Sequence, residues 1–296
     1  MNLADNALGS GQHKLQAFVT FLQAIKFEHS VFALPFAILA AFISSGGVPD
    51  WSVFLWVLLA MVGMRTFGMA ANRLIDAEID ARNPRTADRA IPAGDMSRGA
   101  MAGYMLLAML VFVLATSQLN RVTWSLAPIP IVLMIGYPYL KRYTWMTHFG
   151  IGAVYLIVPP AVSLAMTGAM PLGFVLIGLG SMFWVVGFDV LYASADIEVD
   201  RAQGLNSIPA RFGITASLWV SRSSHVLALI LLLIAGMRLN SGPLYFLGVA
   251  VTAALLAYEQ SLVSRDDLSK LDMAFFTMNG VISVVFGLLV VLGEVI

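Results

Sequence analysis

The sequence predicts an all-α polytopic membrane protein with about nine transmembrane helices around a central cavity. Of its 296 residues, 59% are hydrophobic and only 11% are charged, whereas a soluble domain is about 25% charged. Apolar runs of roughly 18–22 residues recur along the chain, and each can cross a hydrocarbon core of about 30 Å as a helix. Water is therefore not the main solvent of this protein.

The nine predicted spans follow one another with short polar breaks between them. They are centred near Ala37, Ala60, Leu107, Leu133, Leu156, Gly178, Leu229, Val251 and Val285. Before the first span, residues 15–28 (LQAFVTFLQAIKFE) are amphipathic. We expect this segment to lie along the membrane interface before the chain turns inward.

The basic residues are distributed unevenly between the two sides of the membrane. If the loops alternate, one side holds the N-terminus and the polar segments around 72–98, 141–142, 201–211 and 265–270. The connections on the other side contain only Arg121 and Arg238. The positive-inside rule places the crowded side, and any chemistry on it, at the cytoplasmic face of the cell (inner) membrane.

Composition and the N-terminal sequence exclude several classes of function. The net charge is zero, which argues against a nucleic-acid partner. The chain has no cysteine, so disulfides, zinc–thiolate sites, iron–sulfur clusters and a thiolate nucleophile are excluded. The first dozen residues, MNLADNALGSGQ, carry no basic stretch before an apolar segment, so we expect no cleavable signal peptide.

Two polar segments resemble each other and indicate an internal duplication. They are DAEIDARNPRTADRAIPAG and DIEVDRAQGLNSIPARFG, in which Asp76, Glu78 and Asp80 recur 120 positions later. We interpret residues 1–296 as a single domain with pseudo-repeat halves of about 14–145 and 146–296. Two such halves would face each other across one cavity.

Carboxylates line one face of each predicted motif helix. At about 100° per residue, Asn72, Asp76 and Asp80 fall on one narrow stripe. In the second motif, Asp189, Asp196 and Asp200 also converge, because seven residues are nearly two turns and eleven nearly three. Tyr192 lies to one side of that stripe and can reach the same cavity.

Carboxylates crowded together in a partly buried place indicate a bound cation. A single aspartate at a helix end is usually a solvated cap, but two sets on matching stripes repel one another unless a cation neutralises them. Oxygen ligands without His or Cys suit Mg²⁺, which is typically shared between carboxylates and substrate phosphates. The pattern therefore predicts a metal–diphosphate site.

Basic residues near these motifs are candidate ligands of a diphosphate. Lys141 and Arg142 come where the fourth span ends, and the loop ARNPRTADR supplies Arg85 and Arg89 together with Arg82. Some of these residues could instead be attracted to anionic membrane lipid. Arg65 lies two turns before Asn72 within an apolar span, where it either pairs with an aspartate or extends toward phosphate.

These motifs resemble those of the UbiA superfamily of intramembrane prenyltransferases over nearly the whole chain. NRLIDAEID resembles the first family motif, DVLYASADIEVD the second, in its 4-hydroxybenzoate polyprenyltransferase form, and YPYLKRYTW the basic segment between them. The resemblance implies nine helices, a central cavity and two Mg²⁺ ions bridging carboxylates and a polyprenyl diphosphate. The metal ligands that it implies are Asn72, Asp76, Asp80, Asp196 and Asp200, with Asp189 and Tyr192 beside them and Lys141 and Arg142 on the diphosphate.

One departure from the family pattern concerns the acceptor. Ubiquinone-pathway enzymes usually have Pro-Gln shortly after the Lys-Arg pair, whereas this chain has TWMTH, with Thr147 and His148. With KFEHSVFALPFA, it resembles the UbiA-like subgroup of organisms that make menaquinone through futalosine-type intermediates. The acceptor is therefore 4-hydroxybenzoate or a related benzoate, or a futalosine-type precursor, and by this resemblance Lys26, His29 and His148 lie near it.

The chemistry implied is an electrophilic aromatic substitution. Magnesium and basic side chains withdraw charge from the diphosphate, an allyl cation forms, and an acceptor ring carbon attacks it. Asp189 is the candidate for orienting the acceptor or removing the ring proton, and Tyr192 for supporting the cation or the ring. A cation-coupled transporter is the alternative from another class, because paired intramembrane carboxylates also occur there.

Overall fold

The computed structural model describes residues 16–26 and 32–296, and every regular element within these ranges is helical. The helices are α1 (16–24), α2 (Leu34–Ser45), α3 (Trp51–Asp80), α4 (Arg98–Ser117), α5 (Arg121–Leu126), α6 (Pro128–Leu140), α7 (Thr147–Leu156), α8 (Val158–Thr167), α9 (Leu172–Tyr192), α10 (Ile197–Ala202), α11 (Ile208–Leu239), α12 (Pro243–Ser261) and α13 (Asn279–Val295). A 3₁₀ turn (Ala193–Asp196) precedes α10, and a π-helical turn (Met273–Met278) precedes α13.

The predicted polytopic architecture is confirmed. In the described part of the chain, eight helical segments are long and apolar enough to cross a membrane, and each contains one predicted centre. The remaining centre, Ala37, lies in α2, which has only 12 residues. A helix of that length rises about 18 Å and is too short to cross a hydrocarbon core alone.

The described part of the amphipathic segment before α2 packs against the bundle through its apolar face, and its predicted place at the membrane interface stays a prediction. Residues 16–19 are exposed, whereas Phe21 and Ile25 are buried. The Phe21 ring stacks on Tyr104 of α4, with ring centroids 4.2 Å apart. The described part of this segment therefore forms a short helix held against the bundle by its apolar face.

Polar side chains fix where the long helices begin. Asp50 caps α3 by accepting hydrogen bonds from the backbone N–H groups of Ser52 (2.8 Å) and Val53 (3.2 Å). Ser97 and Ser207 cap α4 and α11 in the same way, at 3.1 Å and 3.2 Å. Such caps satisfy N–H groups that a helix start leaves unpaired.

Helix α9 lies at the centre of the bundle, between α7 and α11. Two of its glycines allow this close approach. A Cβ atom at Gly178 would lie 2.1 Å from the Leu156 carbonyl oxygen, and one at Gly187 would lie 2.2 Å from the His225 ring. Small residues at such contacts let membrane helices pack backbone to backbone, so α9 and the second motif at its end are rigidly placed.

The ends of four elements meet at one end of the bundle. The backbone N–H of Asn206 donates to the carbonyl oxygen of Lys141 at 2.7 Å, which joins the start of α11 to the segment after α6. The Gln203 amide reaches the Ile79 carbonyl oxygen at 3.5 Å, which brings α10 to the end of α3. Both sequence motifs therefore lie at this end.

Candidate active site

The first motif places its polar side chains on one face of α3, as predicted. The Asn72 amide donates a hydrogen bond of 2.9 Å to Asp76 Oδ2. Asp76 and Asp80 are only 2% and 5% exposed. Because a buried carboxylate needs a compensating charge, the groups that contact them define the site.

Three predicted basic residues provide that compensation. Lys141 Nζ lies 2.8 Å from Asp76 Oδ2, and Arg142 Nη2 lies 3.5 Å from Asp76 Oδ1. Arg89 Nη1 contacts both oxygens of Asp80 at 2.7 Å. All three cations are partly exposed, so they remain able to meet an anion entering from the same side.

The loop after α3 joins the first motif to the second. Arg85 Nε donates to Asp196 Oδ1 at 2.9 Å, its Nη2 group contacts Asp196 Oδ2, and its Nη1 group donates to the Tyr192 hydroxyl at 2.7 Å. Asn83 also donates to Asp196 Oδ1, at 2.9 Å. Burial disfavours the charged form of Arg85, but the hydrogen bond and charge of Asp196 outweigh it and raise the Arg85 pKa.

The second motif is not the continuous helical stripe that the spacing predicted. Helix α9 ends at Tyr192, and the 3₁₀ turn Ala193–Asp196 reorients the chain before α10. As a result, Asp196 turns toward the first motif, whereas Asp189 contacts His148 at the start of α7 and Asp200 contacts Ser207 at the start of α11. The predicted convergence required regular helical geometry through Asp200, and the tighter turn removes it.

Side chains at the starts of α7 and α11 hold the other two aspartates of the second motif. Ser207 Oγ donates to Asp200 Oδ2 at 2.9 Å. His148 Nδ1 lies 2.7 Å from Asp189 Oδ2, and the backbone N–H of Ile208 donates to His148 Nε2 at 3.3 Å. A backbone N–H can only donate, so Nε2 is unprotonated and Nδ1–H donates to Asp189.

His148 is 2% exposed and stands behind Asp189. The family resemblance places His148 near the acceptor, and in the structure its direct contact is with the Asp189 carboxylate. Asp189 itself keeps 27% of its side chain exposed. Asp189 is therefore the member of this pair that a small molecule can reach.

Two cavities lie end to end along α3, α6 and α7. The smaller, of about 100 Å³, is lined by Asn72, Asp76, Lys141 and Asp189 among others. The larger, of about 360 Å³, is lined mostly by apolar side chains, and Arg65 is the only charged residue among the described residues of its lining. A charged cavity and a largely apolar one thus occupy successive positions along the same helices.

Arg65 makes no ion pair with the aspartates among the described residues, and its buried Nε has no hydrogen-bond partner there. Of the two alternatives for this residue, pairing with an aspartate is therefore not observed. The Arg65 Cα lies seven residues before Asn72, about 10 Å along the helix axis. Arg65 lines the larger cavity, and among the α3 residues of that lining it is the one nearest in sequence to Asn72.

An aromatic wall stands beside Arg85 and Asp196. Tyr192 stacks on Phe275 with ring centroids 3.9 Å apart, and Phe276 meets the same ring edge-on at 5.4 Å. The Arg85 guanidinium lies 4.7 Å from the centre of the Tyr192 ring. Such faces favour flat rings and positive charge.

The donor set fits Mg²⁺ that is shared with phosphate. In residues 16–26 and 32–296, no three His, Asp or Glu side chains lie close enough to ligate one ion. Mg²⁺ commonly takes one or two carboxylates and completes its shell with water and substrate phosphates. Asp76, Asp80, Asp196 and Asp200 supply oxygen ligands of that kind, and each now meets a cationic or hydroxyl donor that a phosphate oxygen can also accept from.

Some predicted residues lie at the margin of this site or outside the description. Lys26 is exposed just after α1, whose end is tied to α3 because Arg73 Nε donates to the Ala24 carbonyl at 2.7 Å. Arg82 is exposed in the loop after α3. His29 lies outside the described residues.

Sequence reasoning missed two buried polar partners. Asn83 precedes a proline, and its side-chain oxygen accepts from the Arg85 N–H at 2.9 Å, a turn signal that we overlooked in favour of the arginines around it. Ser207 precedes Ile208-Pro209, which is the pattern of a helix start. Both could have been found as caps or turns, although not as partners of Asp196 and Asp200.

The fold and the site define a class of protein: a polytopic helical membrane protein with a charged cavity and a largely apolar cavity along the same helices. A sequence model of the UbiA prenyltransferase family matches residues 33–281. The chain belongs to the UbiA prenyltransferase family and is a prenyltransferase.

Relatives and solved structures agree with this assignment. The chain is 31% identical over 255 residues to a 4-hydroxybenzoate octaprenyltransferase from Saccharophagus degradans, covering 84% of this chain and 83% of that protein. A UbiA homologue from Aeropyrum pernix K1, solved in its apo form, superposes with a TM-score of 0.81 at 28% identity over 90% of this chain and 98% of its own. A UbiA homologue from Archaeoglobus fulgidus, solved with DMAPP and Mg²⁺, shares the fold at a TM-score of 0.63 and 14% identity, over 92% and 99%.

Proposed function

We propose that this enzyme transfers a polyprenyl group from a polyprenyl diphosphate to an aromatic acid, 4-hydroxybenzoate or a related benzoate, in quinone biosynthesis. The observation that carries the proposal is a charged cavity and a largely apolar cavity at successive positions along α3, α6 and α7. A polyprenyl diphosphate has the same division between a charged head and a hydrocarbon tail. The name of the relative from Saccharophagus degradans supports the choice of acceptor.

The diphosphate binds where the two motifs meet. Asn72, Asp76 and Asp80 from one motif and Asp196 and Asp200 from the other are the proposed metal ligands. Bound Mg²⁺ would neutralise negative charge on the diphosphate and make it a better leaving group. Lys141, Arg142, Arg85 and Arg89 now pair with these aspartates, and in the substrate complex they donate to phosphate oxygens.

The prenyl chain lies in the apolar cavity, with Arg65 at its charged end. Removing hydrocarbon from water contributes about 25 cal/mol per Å² of buried apolar surface. The apolar walls also exclude water from the allylic carbon, which protects a cationic carbon from hydrolysis. Arg65 is placed to hold the diphosphate where its C–O bond breaks.

The acceptor lies beside Asp189 and Tyr192. As the allylic C–O bond breaks, its electron pair leaves with the diphosphate, and a ring carbon of the acceptor forms the new C–C bond. The Asp189 carboxylate then takes the displaced ring proton, and His148 holds that carboxylate in place through its Nδ1–H group. Lys26 and His29 are the proposed further contacts of the acceptor, and the Tyr192 face supports the cation.

A futalosine-type menaquinone precursor is the second candidate acceptor. The observation that favours it is the His148–Asp189 pair, because His148 stands where ubiquinone-pathway enzymes usually have Pro-Gln. The ring chemistry is unchanged, and only the substituent on the benzoate differs. We also propose that the site faces the cytoplasm from the inner membrane, since the basic residues cluster at that end of the bundle.

The test uses the purified full-length protein in lipid nanodiscs. It is incubated with geranyl or a longer polyprenyl diphosphate, a panel of aromatic acids, and Mg²⁺ or EDTA, and products are identified by mass spectrometry. We expect one acid to gain the mass of the prenyl group, and to do so only in the samples that contain Mg²⁺. The absence of any prenylated product, together with metal-independent uptake of the acid into sealed proteoliposomes of the same protein, would overturn the proposal in favour of the transporter.

A further inference from the structure

A second group of buried polar side chains lies away from the aspartate motifs, between α12 and the start of α13. Glu259 and Asn279 are both 0% exposed. Both carboxyl oxygens of Glu259 and the side-chain oxygen of Asn279 lack a hydrogen-bond partner in the described part of the chain. Glu259 also forms none of the ion pairs observed among the described residues.

The Asn279 amide holds the π-helical turn Met273–Met278. Its Nδ2 group donates to the carbonyl oxygens of Ala274 at 3.0 Å and Phe275 at 3.1 Å. Because both Nδ2 hydrogens serve the turn, the side-chain oxygen of Asn279 is left for another donor. Glu259 lies beside that side chain, whereas the neighbouring Gln260 points to Ser221 and His225.

Three acceptor oxygens without a donor cannot be buried together at low free energy. An ionised carboxylate removed from water and from any cation is strongly destabilising. A proton on Glu259 converts one of its oxygens into a donor, which the Asn279 oxygen accepts. We propose that Glu259 is a neutral acid that donates to Asn279, and that it is a positioning residue for the active site.

The π-helical turn connects this pair to the site. Phe275 and Phe276, which belong to the turn, form the wall against Tyr192. The Tyr192 hydroxyl in turn accepts from Arg85, which pairs with Asp196. By fixing the Asn279 amide, Glu259 fixes the turn and the face against which the acceptor ring packs; this last link rests on the proposed function.

The protonation state is tested by infrared difference spectroscopy, which does not depend on activity. Glu259→Gln keeps an N–H donor for Asn279 and removes only the acid. We expect the C=O band of one undissociated carboxylic acid at neutral pH in the wild type and its loss in Glu259→Gln. Glu78→Gln is the matched control, because the Glu78 side chain is 77% exposed, and it should leave that band unchanged.

The positioning role is tested by kinetics of the same full-length variants in nanodiscs. Glu259→Ala should lower kcat/KM for the acceptor by about 10- to 100-fold, the effect of a small misplacement, while KM for the prenyl diphosphate stays within about twofold. Glu259→Gln should retain most of the wild-type kcat/KM for the acceptor.

Two results would overturn the inference directly: an unchanged carboxylic acid band in Glu259→Gln, or equal impairment of the Gln and Ala variants. A third would be a Na⁺ or K⁺ dependence of wild-type unfolding that Glu259→Gln abolishes, because it would indicate a cation site. If Glu259→Ala does not fold, the infrared band and the kinetics of Glu259→Gln still test the inference. A wild type without transferase activity would refute the proposed function and leave the infrared result standing.

Discussion

Replacing Asp76 by Asn removes one charge at the centre of the site and almost no volume. The Asn side-chain oxygen can still accept a hydrogen bond from Asn72. In the wild type Lys141 Nζ lies 2.8 Å from Asp76 Oδ2, and in the variant it would face an uncharged oxygen. A hydrogen bond to a charged group contributes about 1.5–3 kcal/mol and a neutral one about 1 kcal/mol. The Lys141 and Arg142 side chains are 26% and 32% exposed, so solvent screens part of their attraction to Asp76. The expected loss of stability is therefore about 1–2 kcal/mol.

The catalytic loss should be larger than the loss of stability. A stabilising group aimed at developing charge contributes about 100- to 1,000-fold in rate, or about 2.7–4 kcal/mol, whereas folded proteins have about 5–15 kcal/mol of stability. Asp76→Asn should therefore fold, show a modestly lower unfolding temperature, lose about 100-fold or more in kcat, and require more Mg²⁺ for half-maximal rate.

The measurement is the initial transfer rate across a Mg²⁺ titration in nanodiscs, with thermal unfolding of the same samples. Glu78→Gln, two residues along α3 and exposed, is the matched control and should keep the wild-type Mg²⁺ dependence. The reasoning is refuted if Asp76→Asn retains more than about a tenth of wild-type turnover with an unchanged Mg²⁺ requirement.

Three further outcomes are expected. The effects of Arg85→Ala and Asp196→Ala on the free energy of unfolding should be coupled by about 1–2 kcal/mol. If the effects of the two single variants add up to that of the double variant, this ion pair does not join the motifs. His148→Asn, whose amide can replace the Nδ1–H donor, should retain more turnover than His148→Leu, and equal losses would exclude the donor role. Gly178→Ala should destabilise by about 1–3 kcal/mol, whereas Gly103→Ala, whose Cβ meets open space, should be neutral or stabilising by up to about 1 kcal/mol in an unfolding titration.

The transmembrane helices could be predicted because one property decides them. An apolar run must satisfy its backbone within itself in lipid, and only a helix does so along a single segment. The length of an apolar run does not show where the helix within it begins and ends, as α2 illustrates. Its C-cap Gly46 adopts the left-handed φ of 58° and ends the helix after 12 residues, although the apolar run centred near Ala37 predicted a full membrane span.

The first motif was predictable because α3 is regular from Trp51 to Asp80, so that a spacing of four residues is also a spatial contact. The second motif was only partly predictable, since the 3₁₀ turn before α10 breaks the period on which the argument depended. Partners contributed by other elements, such as Ser207 for Asp200, follow from helix packing that no local pattern contains. Glu259 escaped notice for a related reason, because one acid near the end of an apolar run carries no periodic signal. The internal duplication of the two halves stays a prediction.

The pairing of the motif aspartates explains how one chain keeps so many buried carboxylates without its substrate. Asp76, Asp80 and Asp196 each contact a Lys or Arg that comes from a loop or from another helix. On the proposed function, a metal–diphosphate complex would carry both kinds of charge found in these pairs, so that its cations would pair with the carboxylates and its phosphate oxygens with the basic side chains. Substrate binding would then exchange ion pairs instead of creating unpaired charge, and would avoid the desolvation penalty that either partner would meet alone. It follows that variants lacking a single aspartate should leave a basic side chain unpaired before substrate arrives, and that paired removal of Asp196 and Arg85 should stabilise the empty protein relative to either single variant.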